Sequence, residues 1–85
     1  MFLHIGEGHM IPEKEIVFIG DLESARDSKI TREFFSVSEE EGFVVNYFDG
    51  EPRSFILTGE TIYLSIISSE TLRKRLNRPI GNGGV

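Results

Sequence analysis

Short apolar runs separated by glycine dominate the first quarter of the chain. Residues 2–5 and 9–11 are apolar and flank Gly6-Glu7-Gly8, which predicts a small hairpin with a glycine turn. Residues 16–19, IVFI, form an uninterrupted run of β-branched and aromatic side chains. Such a run is typical of a strand buried on both faces, so we expect a central strand here.

Residues 28–41 have the periodicity of an amphipathic helix. Ser28 offers a hydroxyl group to cap the first turn, and Gly42 provides a left-handed stop after the glutamates at 39–41. Apolar residues recur at i, i+4 and i+7, which predicts that one face packs on the core. That face comprises Ile30, Phe34 and Val37, with Phe35 beside it.

The second half of the chain predicts three strands and a closing helix. Residues 43–48, 53–58 and 61–67 are separated by an Asp-Gly pair at 49–50 and by Gly59-Glu60, a pattern that predicts an antiparallel meander. Ser68 or Ser69 then caps a short helix. We therefore expect an α+β fold: a small antiparallel sheet of short strands, one amphipathic helix after the central strand and a short C-terminal helix. Residues 1–76 would form a single domain and residues 77–85, NRPIGNGGV, a flexible tail.

Charge is segregated along this acidic chain. The formal net charge is -5, yet residues 71–85 hold four of the nine basic side chains and none of the fourteen acidic ones. The cluster Arg73, Lys74 and Arg75 in the closing helix could contact a polyanion such as DNA or an acidic surface of a second copy. It could also only solubilise the helix end, where cations match the dipole.

The small size of the chain favours self-association. A domain of 85 residues gains only a few kcal/mol from its own core, and cysteine is absent, so disulfides cannot add to it. Leu72 and Leu76, one turn apart on the closing helix, need a packing surface. Their own sheet or a neighbouring subunit could provide it, and we assign both leucines to an oligomer interface. The sequence has no membrane span or secretion signal, so we expect a cytoplasmic protein that does not contact membranes.

Catalytic chemistry is the least supported class. His4 and His9 flank a turn without further evident metal ligands, and consecutive helix residues such as Glu39-Glu40-Glu41 diverge by about 100° each. No serine has a plausible His and Asp arrangement. We expect no enzyme activity, no metal and no cofactor.

The order of motifs in the last third of the domain resembles a known family. Ile62-Tyr63-Leu64-Ser65 leads into Ser68-Ser69-x-Thr71-Leu72-x-Lys74-Arg75, and earlier Ile5-Gly6 and Asp21-Leu22-Glu23-Ser24 occur in matching order. This pattern, over about residues 1–76, is similar to the RemA/RemB family of small bacterial regulators of extracellular matrix genes, closer to RemB. The resemblance implies a cytoplasmic α+β domain that assembles into homo-oligomeric rings and activates biofilm matrix operons by binding DNA.

The resemblance also suggests where DNA would be contacted. In RemA-type members the contacts are attributed to arginines in the loop before the central strand and in a later turn. The loop position falls on Lys14 or, with a one-residue shift, on Glu15, and the turn falls on Gly50 and Glu51 with Arg53 just beyond. Glutamate would repel a phosphate, so this chain departs from the family pattern in the turn.

Two functional hypotheses follow. The first is an oligomeric transcriptional regulator that contacts double-stranded promoter DNA mainly through backbone and shape. Its contacts would come from Lys14, Arg53, Arg73, Lys74 and Arg75, with a related regulator protein as a further partner. The second is an oligomeric protein-interaction or scaffold module without DNA binding, in which the basic end of one subunit meets the acidic body of the next.

Overall fold

The computed structural model describes residues 1–76 and shows an α+β fold with two sheets. The elements in chain order are β1 (Phe2–Gly6), β2 (His9–Pro12), a short 3₁₀ turn (Glu13–Glu15), β3 (Ile16–Asp21), α1 (Leu22–Ala25), α2 (Lys29–Glu40), β4 (Val44–Asn46), β5 (Ser54–Thr58), β6 (Ile62–Ser65) and α3 (Ser69–Leu76). The predicted fold class is confirmed. The predicted tail at residues 77–85 lies outside the described residues.

The predicted N-terminal hairpin is confirmed. β1 and β2 pair antiparallel, and the turn between them has positive φ at Gly6, Glu7 and Gly8. This hairpin forms a sheet of its own. It is attached to the second sheet by the hydroxyl of Ser65, which donates a hydrogen bond of 2.7 Å to the carbonyl of Ile5.

The second sheet differs from the predicted meander. Its strand order is β3-β5-β6-β4, with β5 antiparallel to both β3 and β6 and β4 parallel to β6. The predicted pairing of residues 43–48 with 53–58 is therefore wrong, although the β5–β6 hairpin is as predicted. The side chain of Asn46 accepts a hydrogen bond from the Phe48 N–H at 3.0 Å, and the buried Phe48 joins the core. Residues 47–53 then cross to β5 as a loop.

β3 is an edge strand, which corrects its predicted central position. It pairs only with β5 in the sheet of the described residues. Val17 is 67% exposed and Phe18 53% exposed, whereas Ile19 is buried. An apolar composition alone cannot distinguish a strand covered by its own chain from one whose apolar side chains face outward.

α2 forms as predicted, but a different face of the helix packs on the sheet. The Ser28 hydroxyl accepts the Thr31 N–H at 3.2 Å, and Gly42 has a φ of 81°. The N–H of Phe43 closes the helix on the carbonyl of Ser38 at 2.9 Å. The predicted core face is nevertheless exposed: Ile30 79%, Phe34 48% and Val37 57%.

The inner face of α2 is rotated by one residue from the predicted one. It contains Thr31, the half-buried Phe35 and the buried Ser38. Phe35 packs edge-on against Phe55 of β5, with ring centroids 4.9 Å apart. One large aromatic contact therefore holds the helix to the sheet, and the aliphatic stripe is left in solvent.

The core lies between the N-terminal hairpin, the second sheet and α3. Its buried residues are Leu3, Ile5, Ile11, Ile19, Phe48, Ile56 and Leu72. Leu72 is completely buried, and burial of one leucine side chain stabilises a fold by roughly 1.5–3 kcal/mol. Because a helix of eight residues does not persist alone, this side chain holds α3 in place.

Candidate nucleic-acid interface

Lys14 lies on the 3₁₀ turn before β3, with its side chain exposed. Acidic residues surround it: Glu13 and Glu15 are its neighbours in sequence, and Glu60 of the β5–β6 turn lines the same shallow depression. The turn itself is anchored, since the Glu13 N–H donates to the carbonyl of Met1 at 2.9 Å. Lys14 is thus a single cation on a fixed, locally acidic surface.

Arg53 lies immediately before β5 on a rigid backbone. Its N–H donates to the carbonyl of Ser65 at 2.8 Å, and its carbonyl accepts the N–H of Leu22 at 3.1 Å. The side chain is exposed and borders a small cavity that Glu51 also lines. The fold therefore presents an exposed guanidinium on an anchored backbone beside the acidic loop.

Lys14 and Arg53 lie at opposite ends of the β3–β5 pair. In this ladder Ile16 is opposite Thr58 and Asp21 is opposite Ser54. Five strand steps separate these two ends, which corresponds to about 17 Å. Within one chain, Lys14 and Arg53 are therefore two separate points of positive charge.

The basic residues of α3 make contacts inside the chain. Arg73 Nη2 donates to the carbonyl of Ile19 at 2.8 Å, and Arg75 Nη1 donates to the carbonyl of His4 at 3.1 Å. These two bonds attach the helix to β3 and β1. Lys74 Nζ lies 3.9 Å from a carboxylate oxygen of Glu70 in an exposed pair one turn apart.

The two leucines assigned to an oligomer interface pack on their own domain. Leu72 has no exposed surface, and Leu76 is half-buried against the core. Their own sheet and hairpin provide the packing surface. Leu72 consequently offers no surface to a neighbouring subunit, whereas Leu76 remains partly exposed.

Two arginines that sequence reasoning did not single out lie near Arg53. Arg26 Nη2 is 3.8 Å from a carboxylate oxygen of Glu51, and Arg32 donates a hydrogen bond to the carbonyl of Arg26. Both lie close to the loop because α1 turns the chain back over it. The sequence feature that could have predicted α1 is Asp21, whose carboxylate caps this helix by accepting the Ser24 N–H at 3.0 Å.

The loop of Glu51 is therefore less acidic than the sequence suggested. Glu51 occupies the turn position where the resemblance places a DNA-contacting arginine, and Arg26 lies beside its carboxylate. Both side chains are largely exposed, so this pair contributes little to stability. It does reduce the local negative charge next to Arg53.

The histidines of the N-terminal hairpin lie outside any cluster of potential metal ligands in the part of the chain that the structure describes. No cluster of three or more potential ligands occurs within residues 1–76. His9 stacks on Tyr47 with ring centroids 4.0 Å apart, and His4 is an exposed strand residue. In the same described range, every helix is too short or too polar to cross a membrane.

Comparison with known proteins defines the class to which this small α+β domain belongs. A sequence model of the RemA-like family, described as extracellular matrix regulatory protein A-like, matches residues 2–76. The chain belongs to this family, whose description is regulatory and not enzymatic. It is also 36% identical over 75 residues to extracellular matrix regulatory protein B of Bacillus subtilis (strain 168), a match that covers 88% of this chain and 89% of that protein. The resemblance identified from the sequence, including its preference for the B branch, is confirmed.

Proposed function

We propose that this protein is an oligomeric, DNA-binding transcriptional regulator of extracellular matrix genes. The observation that carries the proposal is the family match, which extends over residues 2–76 and therefore over every strand and helix that the structure describes. The name of the Bacillus subtilis relative, a matrix regulatory protein, supports the same biological role. Promoter DNA is the proposed partner.

The contacts would be made to phosphates by isolated cations. Lys14 and Arg53 are exposed on anchored turns, and Arg26 stands beside Arg53. A single subunit offers few such contacts and carries a net charge of -5. Useful affinity would therefore require several subunits on one duplex, because linked weak contacts add through avidity. Arg73 and Arg75 would contribute less than sequence reasoning suggested, since their guanidinium groups already bond to the chain.

A DNA titration with charge-matched variants tests this proposal. Each phosphate contact that a substitution removes should reduce the slope of log affinity against log salt by about 0.9. We expect Arg53→Ala and Lys14→Ala to weaken binding to a promoter duplex and reduce this slope. Arg53→Lys and Lys14→Arg retain the charge and serve as controls. An unchanged affinity in both alanine variants would remove these residues from the interface.

The second candidate function is a protein-interaction module that binds no DNA. The exposed apolar stripe of α2 favours it, because exposed apolar patches mark interaction sites, and the net charge of -5 disfavours contact with DNA. Under this alternative, the intact oligomer would fail to bind duplex DNA even at low salt. Under the leading proposal, binding would be strong at low salt and would fall steeply as salt rises.

A further inference from the structure

α2 presents an apolar stripe to solvent. Ile30, Phe34 and Val37 follow the i, i+4, i+7 spacing and are 79%, 48% and 57% exposed. We call these three residues the α2 outer face. Surface helices of folded domains usually direct such a stripe at the core, so an exposed one needs another partner.

A row of aromatic rings links α2 to β3 beneath the surface. Phe34 lies 6.0 Å from Phe35, Phe35 lies 4.9 Å from Phe55, and Phe55 lies 5.9 Å from Phe18. Both ends of the row, Phe34 and Phe18, are about half exposed. Because Phe55 is buried and Phe35 lies on the inner face of α2, this row orients the helix on the sheet, and the α2 outer face and the exposed residues of β3 are separate patches.

The α2 outer face is large enough to form the apolar centre of a protein interface. Its three side chains expose on the order of 300–400 Å², given the 150–250 Å² that one aromatic side chain can bury. A standard interface buries about 800 Å² on each partner, and apolar patches above a few hundred Å² mark interaction sites. Polar residues at the rim would supply the remainder.

The charges that flank the stripe select a second copy as the occupant. Lys29 begins α2 and Glu40 ends it, eleven residues or about three turns apart, so both lie along the same flank of the stripe. In an antiparallel pair, Lys29 of each copy would meet Glu40 of the other. The acidic C-terminal ends would also approach the N-termini of the partner helices, where the dipole favours negative charge. A parallel pair would instead bring two runs of Glu39-Glu40-Glu41 together.

We propose that two copies of this chain associate through antiparallel contact of their α2 outer faces about a two-fold axis. Ile30 of one copy lies opposite Val37 of the other, and the two Phe34 rings meet near the axis. The same patch serves both partners, as a two-fold interface requires. This goes beyond the proposed function, which needs an oligomer but names no surface, and it does not depend on DNA binding.

Substitutions on and off the stripe test the apolar contact. Phe34→Glu and Ile30→Glu should each reduce the mass measured by sedimentation velocity, because they place a charge in the contact. Met10→Glu is the matched control, since Met10 is 50% exposed on β2 and outside the patch. Circular dichroism verifies the fold of each variant. The proposal is wrong if both stripe variants keep the assembly mass of the parent chain. It is also wrong if the parent chain is a monomer at high micromolar concentration.

Charge reversals test the antiparallel direction. Glu40→Lys and Lys29→Glu should each weaken association about tenfold, since every dimer contains two such pairs. Their combination in one chain should restore association. Glu39→Lys changes the same charge on the side of the helix away from the stripe and should have little effect. Failure of the double variant to recover would refute the pairing.

Cysteine chemistry provides an independent geometric test, because the chain has no cysteine of its own. A mixture of Ile30→Cys and Val37→Cys chains should be linked by a short bismaleimide more efficiently than either variant alone. Preferential linking of each variant to itself would indicate a parallel contact and overturn the proposal.

A truncated chain that ends at Leu76 tests whether a second copy or residues 77–85 cover the stripe. It should associate as the full chain does. If instead removal of residues 77–85 exposes the stripe and creates association, those residues cover it and the proposal fails. DNA titration of the stripe variants keeps the two claims apart: a parent dimer that fails to bind DNA would affect only the proposed function.

Discussion

Ser65 is the residue whose replacement tests the account of the fold most sharply. Its side chain is fully buried in β6 and makes two hydrogen bonds. The hydroxyl donates to the carbonyl of Ile5 at 2.7 Å and accepts the N–H of Ile67 at 3.0 Å. The first of these bonds joins segments sixty residues apart in the chain. Ser65→Ala removes both bonds and changes little else in volume.

The expected decrease in stability follows from what remains after this substitution. The buried carbonyl of Ile5 loses its partner at a cost of about 1–3 kcal/mol, and the partly buried N–H of Ile67 adds about 1 kcal/mol, so we expect a decrease of about 2–4 kcal/mol. Domains of this size have total stabilities near 5–15 kcal/mol or below. With a shift of about 4–8 °C per kcal/mol, the melting temperature should fall by roughly 8–32 °C.

Urea unfolding followed by circular dichroism measures this difference. The parent and variants are compared at one protein concentration, because self-association would shift the apparent stability. Ser36→Ala is the control, since Ser36 is exposed on α2 and should change stability by less than about 0.5 kcal/mol. A Ser65→Ala variant within about 0.5 kcal/mol of the parent would refute the claim that this hydroxyl attaches the hairpin to the sheet.

Three further predictions concern a glycine, a helix attachment and a candidate phosphate contact. A Cβ at Gly20 would lie 2.3 Å from the Phe55 ring, so Gly20→Ala should cost about 1–3 kcal/mol in urea unfolding; an unaffected midpoint would contradict this packing. Arg73→Ala removes the bond to the carbonyl of Ile19 and should lower stability by about 1 kcal/mol, while DNA affinity stays within twofold; a large decrease in affinity would assign Arg73 to DNA. Lys14→Ala should weaken binding to unrelated duplexes equally, and a sequence-selective decrease in parallel titrations would argue against a phosphate contact.

Local signals along the chain predicted local structure well. The glycines at 6 and 8 give the hairpin turn its positive φ values, Ser28 caps α2, and Gly42 ends it. Ser68 accepts the N–H of Thr71 at 3.2 Å and begins α3. These features depend on residues within a few positions of one another, so the sequence alone determines them.

Local sequence did not predict which strands pair in the second sheet or which face of α2 packs on it. An Asp-Gly pair favours a hairpin, but the burial of Phe48 turns the chain elsewhere and leaves β4 to pair parallel with β6. An apolar stripe favours the core, but in α2 the contact of Phe35 with Phe55 decides the orientation. Both outcomes depend on residues distant in sequence, and in α2 the exposed stripe fits a contact with another chain.

The candidate site was predicted residue by residue, yet its geometry was not. Lys14 and Arg53 are exposed, as a phosphate contact requires, but they lie at opposite ends of a strand pair. Arg26 approaches Glu51 only because α1 folds back over the loop. The cluster of basic residues at 73–75 suggested a DNA-binding surface, whereas two of its three side chains attach α3 to the domain.

The central proposal is an oligomer that binds promoter DNA through exposed phosphate contacts. A salt-dependent titration of a matrix-gene promoter duplex, with the protein mass measured in the same buffer, tests it most directly. We predict binding by an oligomer, a steep decrease of affinity with salt, and a slope that Arg53→Ala reduces by about 0.9 for every phosphate that Arg53 neutralises. An intact oligomer that does not bind the duplex at low salt would contradict the account.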